Sequence, residues 1–171
     1  MNLPAEPPCL IRAATVADVP QLHDLICELA EYEKLRDTVT ATHEHLRDAL
    51  FGPRPCAEAV IAEVDGSAVG FALFMPNYST FLGSRGVYLE DLYVKPQARS
   101  HGIGRALLSC VAKTALERGC GKMEWAALDW NEPAIRFYEN LGARRMAEWR
   151  LFRLMGDALV RVAQPAGGNT T

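Results

Sequence analysis

The chain has 171 residues, of which 49% are hydrophobic, and a formal net charge of −3. That length supports one domain with a real core and no need of disulfides or metal, and the charge balance speaks against the basic face of a nucleic-acid binder. Five cysteines with no C-x-x-C pair speak against a zinc ribbon or a disulfide framework and read as reduced thiols of a cytoplasmic protein.

The opening residues, MNLPAEPPCL, lack the basic start and apolar run of a signal peptide, and residues 1–8 are expected to be flexible. No apolar stretch approaches the roughly 20 residues of a membrane helix. Cys9–Ala13 is a short apolar run that predicts a first strand. Thr15-Val16-Ala17-Asp18 has the pattern of a capping box opening a helix, with Pro20 tolerated in its first turn. Leu22, Leu25, Ile26 and Leu29 recur at helical spacing and predict one buried stripe. Thr42 caps a second helix carrying Leu46 and Leu50, which stops near Gly52-Pro53. Ala59–Val64 and Ala68–Met75 read as strands joined by Asp65-Gly66, a strong hairpin signal. Asn77–Gly86 is polar and glycine-containing and reads as a loop. Val87–Val94 is the next strand, closed off by Pro96. A helix follows from Ile103 to about Arg118, with Ala106, Leu107, Cys110, Val111, Thr114 and Ala115 on its buried side and Gly119 as its C-cap. Met123–Leu128 reads as a strand, Pro133–Asn140 as a short helix ended by Gly142, and Trp149–Met155 as a last strand. With no repeat and no linker, a single domain is expected over residues 9–160, followed by a flexible tail over 161–171.

This order predicts an α/β fold, a mixed sheet with helices on both faces. The glycine loop falls at the C-terminal end of a strand, where ligands bind in open α/β sheets.

Within that loop, Arg99-Ser100-His101-Gly102-Ile103-Gly104 forms an R-x-x-G-x-G arrangement followed by Arg105. The first turn of a helix carries unpaired N–H groups and a partial positive charge, so glycines there let a phosphate approach the backbone. A dinucleotide fold would place its glycines directly after the first strand, and a P-loop would need G-K-[ST]; neither occurs. An ordinary glycine-rich turn is the alternative that the local pattern leaves open.

Three further groups carry chemistry. Tyr138 is a phenol with an ordinary pKa near 10, able to deliver a proton to a departing thiolate; alternatively Ile135, Phe137 and Tyr138 simply pack their helix. Glu90 and Asp91 lie inside an apolar strand, where an unpaired carboxylate is costly; they are either functional or paired structurally. Glu28, Glu31, Tyr32 and Glu33, with Asp37 beyond, place acid at a helix end that prefers cations; they form either a lip that attracts a cation or a solvated face. Trp125 reads as core. His23, His43, His45 and His101 make no metal set.

The chain resembles the GNAT superfamily of N-acetyltransferases. The resemblance rests on Glu28–Leu35, Tyr88–Val94, Arg99–Gly104, Leu128–Pro133, Phe137-Tyr138 and Trp149–Phe152. Within the superfamily it looks like the diamine acetyltransferases, the spermidine/spermine enzymes and the thialysine-acetylating branch, and leans to the latter. The resemblance implies the GNAT fold, with a mixed, mostly antiparallel sheet of about seven strands and helices on both faces. It implies acetyl-CoA as donor, no metal, a small amine as acceptor, a homodimer, and neither nucleic acid nor membrane as partner. The backbone of Leu92, Tyr93 and Val94 would hold the acetyl and pantetheine end. Arg99, Ser100, His101, Gly102, Ile103, Gly104 and Arg105 would cradle the pyrophosphate, and Asn131, Glu132, Pro133 and Ala134 would complete the CoA groove. Tyr138 matches the general acid and Glu90 a base acting through water, while Asp91 would orient the substrate cation or a neighbouring side chain. Tyr32 and Glu33 match positions that contact the amine, and Trp130, like Trp149, would wall its pocket. The chain departs from the family at Ser100, where glycine is usual, and at Ala57, where a bulky aromatic is expected. It also reaches Trp149 sooner after Gly142, leaving Glu148 as the nearest acidic candidate there. Arg85 is the candidate partner for the carboxylate of a lysine-like substrate. The rival expectations are an acetyltransferase acting on protein N-termini or lysines and a non-catalytic CoA-binding sensor. A covalent route through a cysteine is disfavoured, because Cys110 reads as buried and no base adjoins any thiol.

Overall fold

The computed structural model describes residues 9–164. The expected flexible start, residues 1–8, and the tail beyond 164 lie outside the described residues. The chain divides into two units, Met1–Leu128 and Asp129–Thr171.

The first unit holds five strands, β1 (Leu10–Ala13), β2 (Glu58–Val64), β3 (Ser67–Ser79), β4 (Ser84–Val94) and β5 (Lys122–Glu124), in spatial order β1-β2-β3-β4-β5. Neighbours are antiparallel except β4 and β5, which are parallel. Its helices are α1 (Val19–Tyr32), α2 (His43–Phe51) and α3 (Ile103–Glu117). The expected cap is present: the Asp18 carboxylate accepts from the Thr15 N–H at 2.7 Å and from its hydroxyl at 2.8 Å. It first closes a 3-10 turn, Val16–Asp18, before α1 begins. Arg12 reaches the same carboxylate through both terminal nitrogens and Glu63 through Nε at 2.9 Å, joining β1, β2 and the start of α1. Those contacts hold the Asp18 carboxyl well below the usual range.

Period-two alternation gives the sheet two apolar faces. Ala59, Ile61, Phe71, Leu73 and Tyr93 share one face and pack with Leu22, Leu25 and Leu50 of α1 and α2. Val60, Ala62, Ala72, Phe74, Val87 and Leu89 are buried outside that cluster. α3 covers β2, β3 and β4 there with Ile103, Leu107, Leu108, Val111 and Ala115. Helices on both faces are thus observed. Of the side chains expected inside α3, Ala106, Cys110 and Thr114 are only half-buried.

Three expected elements differ. Asn77–Gly86 is no loop: antiparallel pairing runs through Asn77↔Gly86 to Ser79↔Ser84, leaving only Thr80–Gly83 as the turn. Backbone pairing does not need apolar side chains, and a Cβ at Gly86 would strike the Asn77 side chain, so that glycine lets the strands close. Met123–Leu128 is strand only over Lys122–Glu124, because its parallel partner register ends at Tyr88↔Glu124. Trp149–Met155 forms no strand among the described residues. The sheet therefore has five strands, fewer than the resemblance implied.

The second unit contains α4 (Glu132–Asn140) and α5 (Gly156–Ala163). Gly142, at φ 89°, follows the end of α4 as expected. Helix α5 was not foreseen, and it crosses the boundary drawn at residue 160.

Candidate functional site

The pairing of β4 changes along its length. Only Gly86–Tyr88 pair with β5, so from Leu89 onward that side of β4 has no strand neighbour among the described residues. The backbone of Leu92, Tyr93 and Val94 lies on this stretch. A free strand edge presents N–H and C=O groups to whatever lies alongside.

Beyond β4 a 3-10 turn, Pro96–Ala98, leads into the glycine loop. Ser100 and Gly102 both take positive φ, 67° and 76°. The first is unfavourable for serine, and glycine would take it without strain. Gly102 is the N-cap of α3, and a Cβ added to it would meet nothing within 4 Å. Its carbonyl accepts the first helical bond, from the Ala106 N–H at 2.9 Å. The N–H groups of Ile103, Gly104 and Arg105 therefore have no acceptor inside the helix. They head a 15-residue helix, and such an N-terminus is suited to receive an anion. His101 and Arg105 are exposed at its rim.

Arg99 is engaged elsewhere. Its guanidinium carbon lies 4.7 Å from the centre of the Tyr32 ring and 5.8 Å from that of Tyr93. Its Nε donates to the Val94 carbonyl at 2.9 Å. The Tyr93 hydroxyl donates to Glu28 at 3.3 Å, and Lys95 pairs with the same carboxylate at 3.3 Å. Burial, and then Glu28, push the Tyr93 phenol up. Glu28 is thus structurally paired, which neither alternative for the acidic run foresaw, whereas Glu31 and Asp37 are exposed.

The register of β3 against β4 shifts at one place: Leu73 faces Asp91, but Phe74 faces Leu89. Glu90 is the extra residue of a β-bulge. Without the bulge, Leu89, Asp91 and Tyr93 would share a face. With it, Leu89 pairs with the α3-side Phe74, while Asp91 pairs with Leu73 on the side of α1. Glu90 is exposed and Asp91 half-buried. The Asp91 carboxyl is pushed up to about 7, mainly by desolvation and further by the charges of Glu90 and Glu33. Burial also raises Glu33. The charges of Glu90 and Glu33 therefore both bear on Asp91, where α1 ends and β4 bulges. The E-D doublet in an apolar strand signalled this site, but parity alone could not tell which carboxylate turns inward.

In the second unit, Asn131 is buried and caps α4, its side chain accepting from the Ala134 N–H at 3.3 Å. Glu132 pairs with Arg136 at 3.5 Å, and Pro133 occupies the first turn, where it is tolerated. Tyr138 is half-buried, its ring edge-on to Phe137 at 5.1 Å between centroids. Trp130 is 49% exposed. Among the described residues no group of His, Cys, Asp or Glu could hold a metal ion, and no helix is long and apolar enough to cross a membrane.

The model of the acetyltransferase (GNAT) family matches residues 19–143, and the chain belongs to that family. It is an N-acetyltransferase. It is 42% identical over 165 residues to a thialysine N-epsilon-acetyltransferase of Sus scrofa, covering 90% of this chain and 96% of the relative. It is 35% identical over 194 residues to the L-ornithine N5-acetyltransferase of Arabidopsis thaliana, covering 87% and 85%. Among solved structures, an integron cassette protein from the mobile metagenome of V. cholerae superposes with a TM-score of 0.77 at 25% identity, covering 92% of this chain and 98% of that one.

Proposed function

We propose that this enzyme transfers the acetyl group of acetyl-CoA to a primary amine of a small diamine, polyamine or lysine-like substrate, by direct attack within a ternary complex. The observation that carries this reading is the bulge in β4. It sets Glu90 and Asp91 beside Glu33 where the strand begins to offer a free backbone edge. Relatives that act on thialysine and L-ornithine favour an amino acid with a side-chain amine.

The thioester supplies an activated acyl carbon. Amides on the free edge of β4, at Leu92, Tyr93 and Val94, polarise its carbonyl. The loop Ser100–Arg105 receives the pyrophosphate, and Asn131–Ala134 line the CoA groove. Tyr32, Glu33 and Trp130 hold the amine, whose ordinary pKa near 10.4 keeps it cationic until a base acts. Glu90 starts deprotonation through water. Asp91, its carboxyl pushed up to about 7 mainly by desolvation, orients the cation. The amine nitrogen then bonds to the acyl carbon, the C–S bond breaks, and Tyr138 gives its phenolic proton to the departing thiolate.

A cytoplasmic homodimer completes the reading. Its support is an apolar run in the second unit, Trp149, Leu151, Phe152, Leu154 and Met155, all exposed in one chain. Such a run is the mark of an interaction surface.

The test is CoA-thiol release against thialysine, lysine, ornithine, putrescine, spermidine, spermine and a lysine peptide, with Tyr138→Phe run alongside. Turnover of one small-amine class, with kcat lowered about 100-fold or more in the variant, supports the reading. Turnover of the peptide alone points to a protein acceptor. No turnover on any amine, with acetyl-CoA still bound, leaves a CoA sensor.

A further inference from the structure

Arg99 opens the glycine motif and invites assignment to the pyrophosphate, yet its contacts run the other way. The guanidinium sits over Tyr32, the last residue of α1, and near Tyr93 on the inner face of β4. Its Nε is committed to the Val94 carbonyl. Around it, Tyr93 and Lys95 both hold Glu28, one turn before Tyr32 on α1. The end of α1 is thus fastened to the end of β4 through two cations, Arg99 and Lys95, two aromatic rings and one carboxylate. Tyr32 and Glu33 follow directly from that fastening.

We infer that Arg99 is a positioning residue of the amine-binding lip, holding Tyr32 and the neighbouring Glu33 in place, and is not a pyrophosphate ligand. The inference rests on the proposal that Tyr32 and Glu33 meet the amine and that the loop meets CoA. A planar guanidinium can stack on a ring and donate sideways from Nε at once, which the point charge of lysine cannot reproduce. Backbone N–H groups at the start of α3 are left to meet the phosphates. Arg99 then acts on the acceptor side although it lies in the donor-side motif.

Two substitutions separate the roles. Arg99→Lys keeps the charge and loses the stacking plane; Arg99→Met removes the charge and keeps much of the stem. CoA affinity is read by calorimetry without amine, and amine KM at saturating acetyl-CoA. The expected result for both variants is a CoA Kd within about threefold of wild type, with its salt dependence unchanged. Amine KM rises about tenfold, with kcat at saturating amine within about threefold. Tyr32→Leu raises amine KM similarly, and adding it to Arg99→Lys gives a rise well short of the product of the two.

A tenfold or greater loss of CoA affinity in Arg99→Met, recovered in Arg99→Lys, overturns the inference and returns Arg99 to the pyrophosphate. An amine KM within twofold of wild type in both Arg99 variants overturns it too, as does a double variant whose effect is the full product. Thermal melts of each variant guard against misfolding. A wild type that acetylates no small amine defeats the functional proposal on separate ground, and the CoA affinities of Arg99→Met still decide whether Arg99 binds phosphate.

Discussion

The β4–loop–α3 crossover and the stretch from Trp149 to Ala163 were both expected to contain a strand, and only the first does. In the crossover each signal is local or locally answered. Gly102 adopts positive φ, α3 starts one residue later, Gly119 takes φ 68° after the helix ends, and the apolar spacing of Leu107, Val111 and Ala115 matches their burial. In the later stretch, alternating bulky residues read as a strand, but a strand exists only when a neighbour supplies its hydrogen bonds. Leu151 and Phe152 stand 77% and 89% exposed. The contrast separates patterns that are complete in themselves from one that finds no neighbouring strand among the described residues.

The largest expected effect tests that exposed run. Burying a large apolar side chain is worth roughly 1.5 to 3 kcal/mol, so Leu151→Asp with Phe152→Asp together should weaken self-association about 100-fold or more. Sedimentation of both proteins across micromolar concentrations reads this; a wild type that stays monomeric removes the dimer and leaves the run unexplained.

Next comes the acidic cluster in the first unit. The Asp91 carboxyl is raised from 3.8 to about 7 on folding, so its contribution to stability is full below 3.8 and lost as pH rises through 7. Asp91→Asn should match wild type in urea unfolding at pH 4 and exceed it at pH 8 by an amount on the order of 2 kcal/mol. In wild type, kcat/KM for the amine should rise through pH about 7 and lose that limb in the variant. Stability curves that run parallel from pH 4 to 8 would show that Asp91 ionises normally.

The smallest effect sharpens the crossover itself. Serine at φ 67° is strained where glycine is at ease, so Ser100→Gly should stabilise the protein by about 0.5 to 1 kcal/mol. A rise of roughly 1 to 4 °C in Tm is the readout; an unchanged or lower Tm would mean that the serine hydroxyl offsets the strain.

Much of the fold was legible because its signals act within a few residues. Thr15 with Asp18, Thr42, and Asp65-Gly66 announced a helix start, a helix cap and a hairpin, each formed where expected. The start of α3 behind Gly102 was legible for the same reason, since a helix N-terminus after a glycine needs nothing distant. Asn77–Gly86 was misread because its polar side chains hid a ladder that depends only on backbone pairing.

By itself the sequence determined helices α1 to α4, the glycine loop, the family, and the presence of acid at Glu33, Glu90 and Asp91. Only the tertiary structure decided which carboxylate turns inward, because a one-residue bulge reverses side-chain parity and depends on β3 lying alongside. It alone also seated Arg99 over Tyr32, a residue distant in the chain. Local propensity is written in neighbouring residues; the partners of a charge are set by how the sheet and helices pack around it.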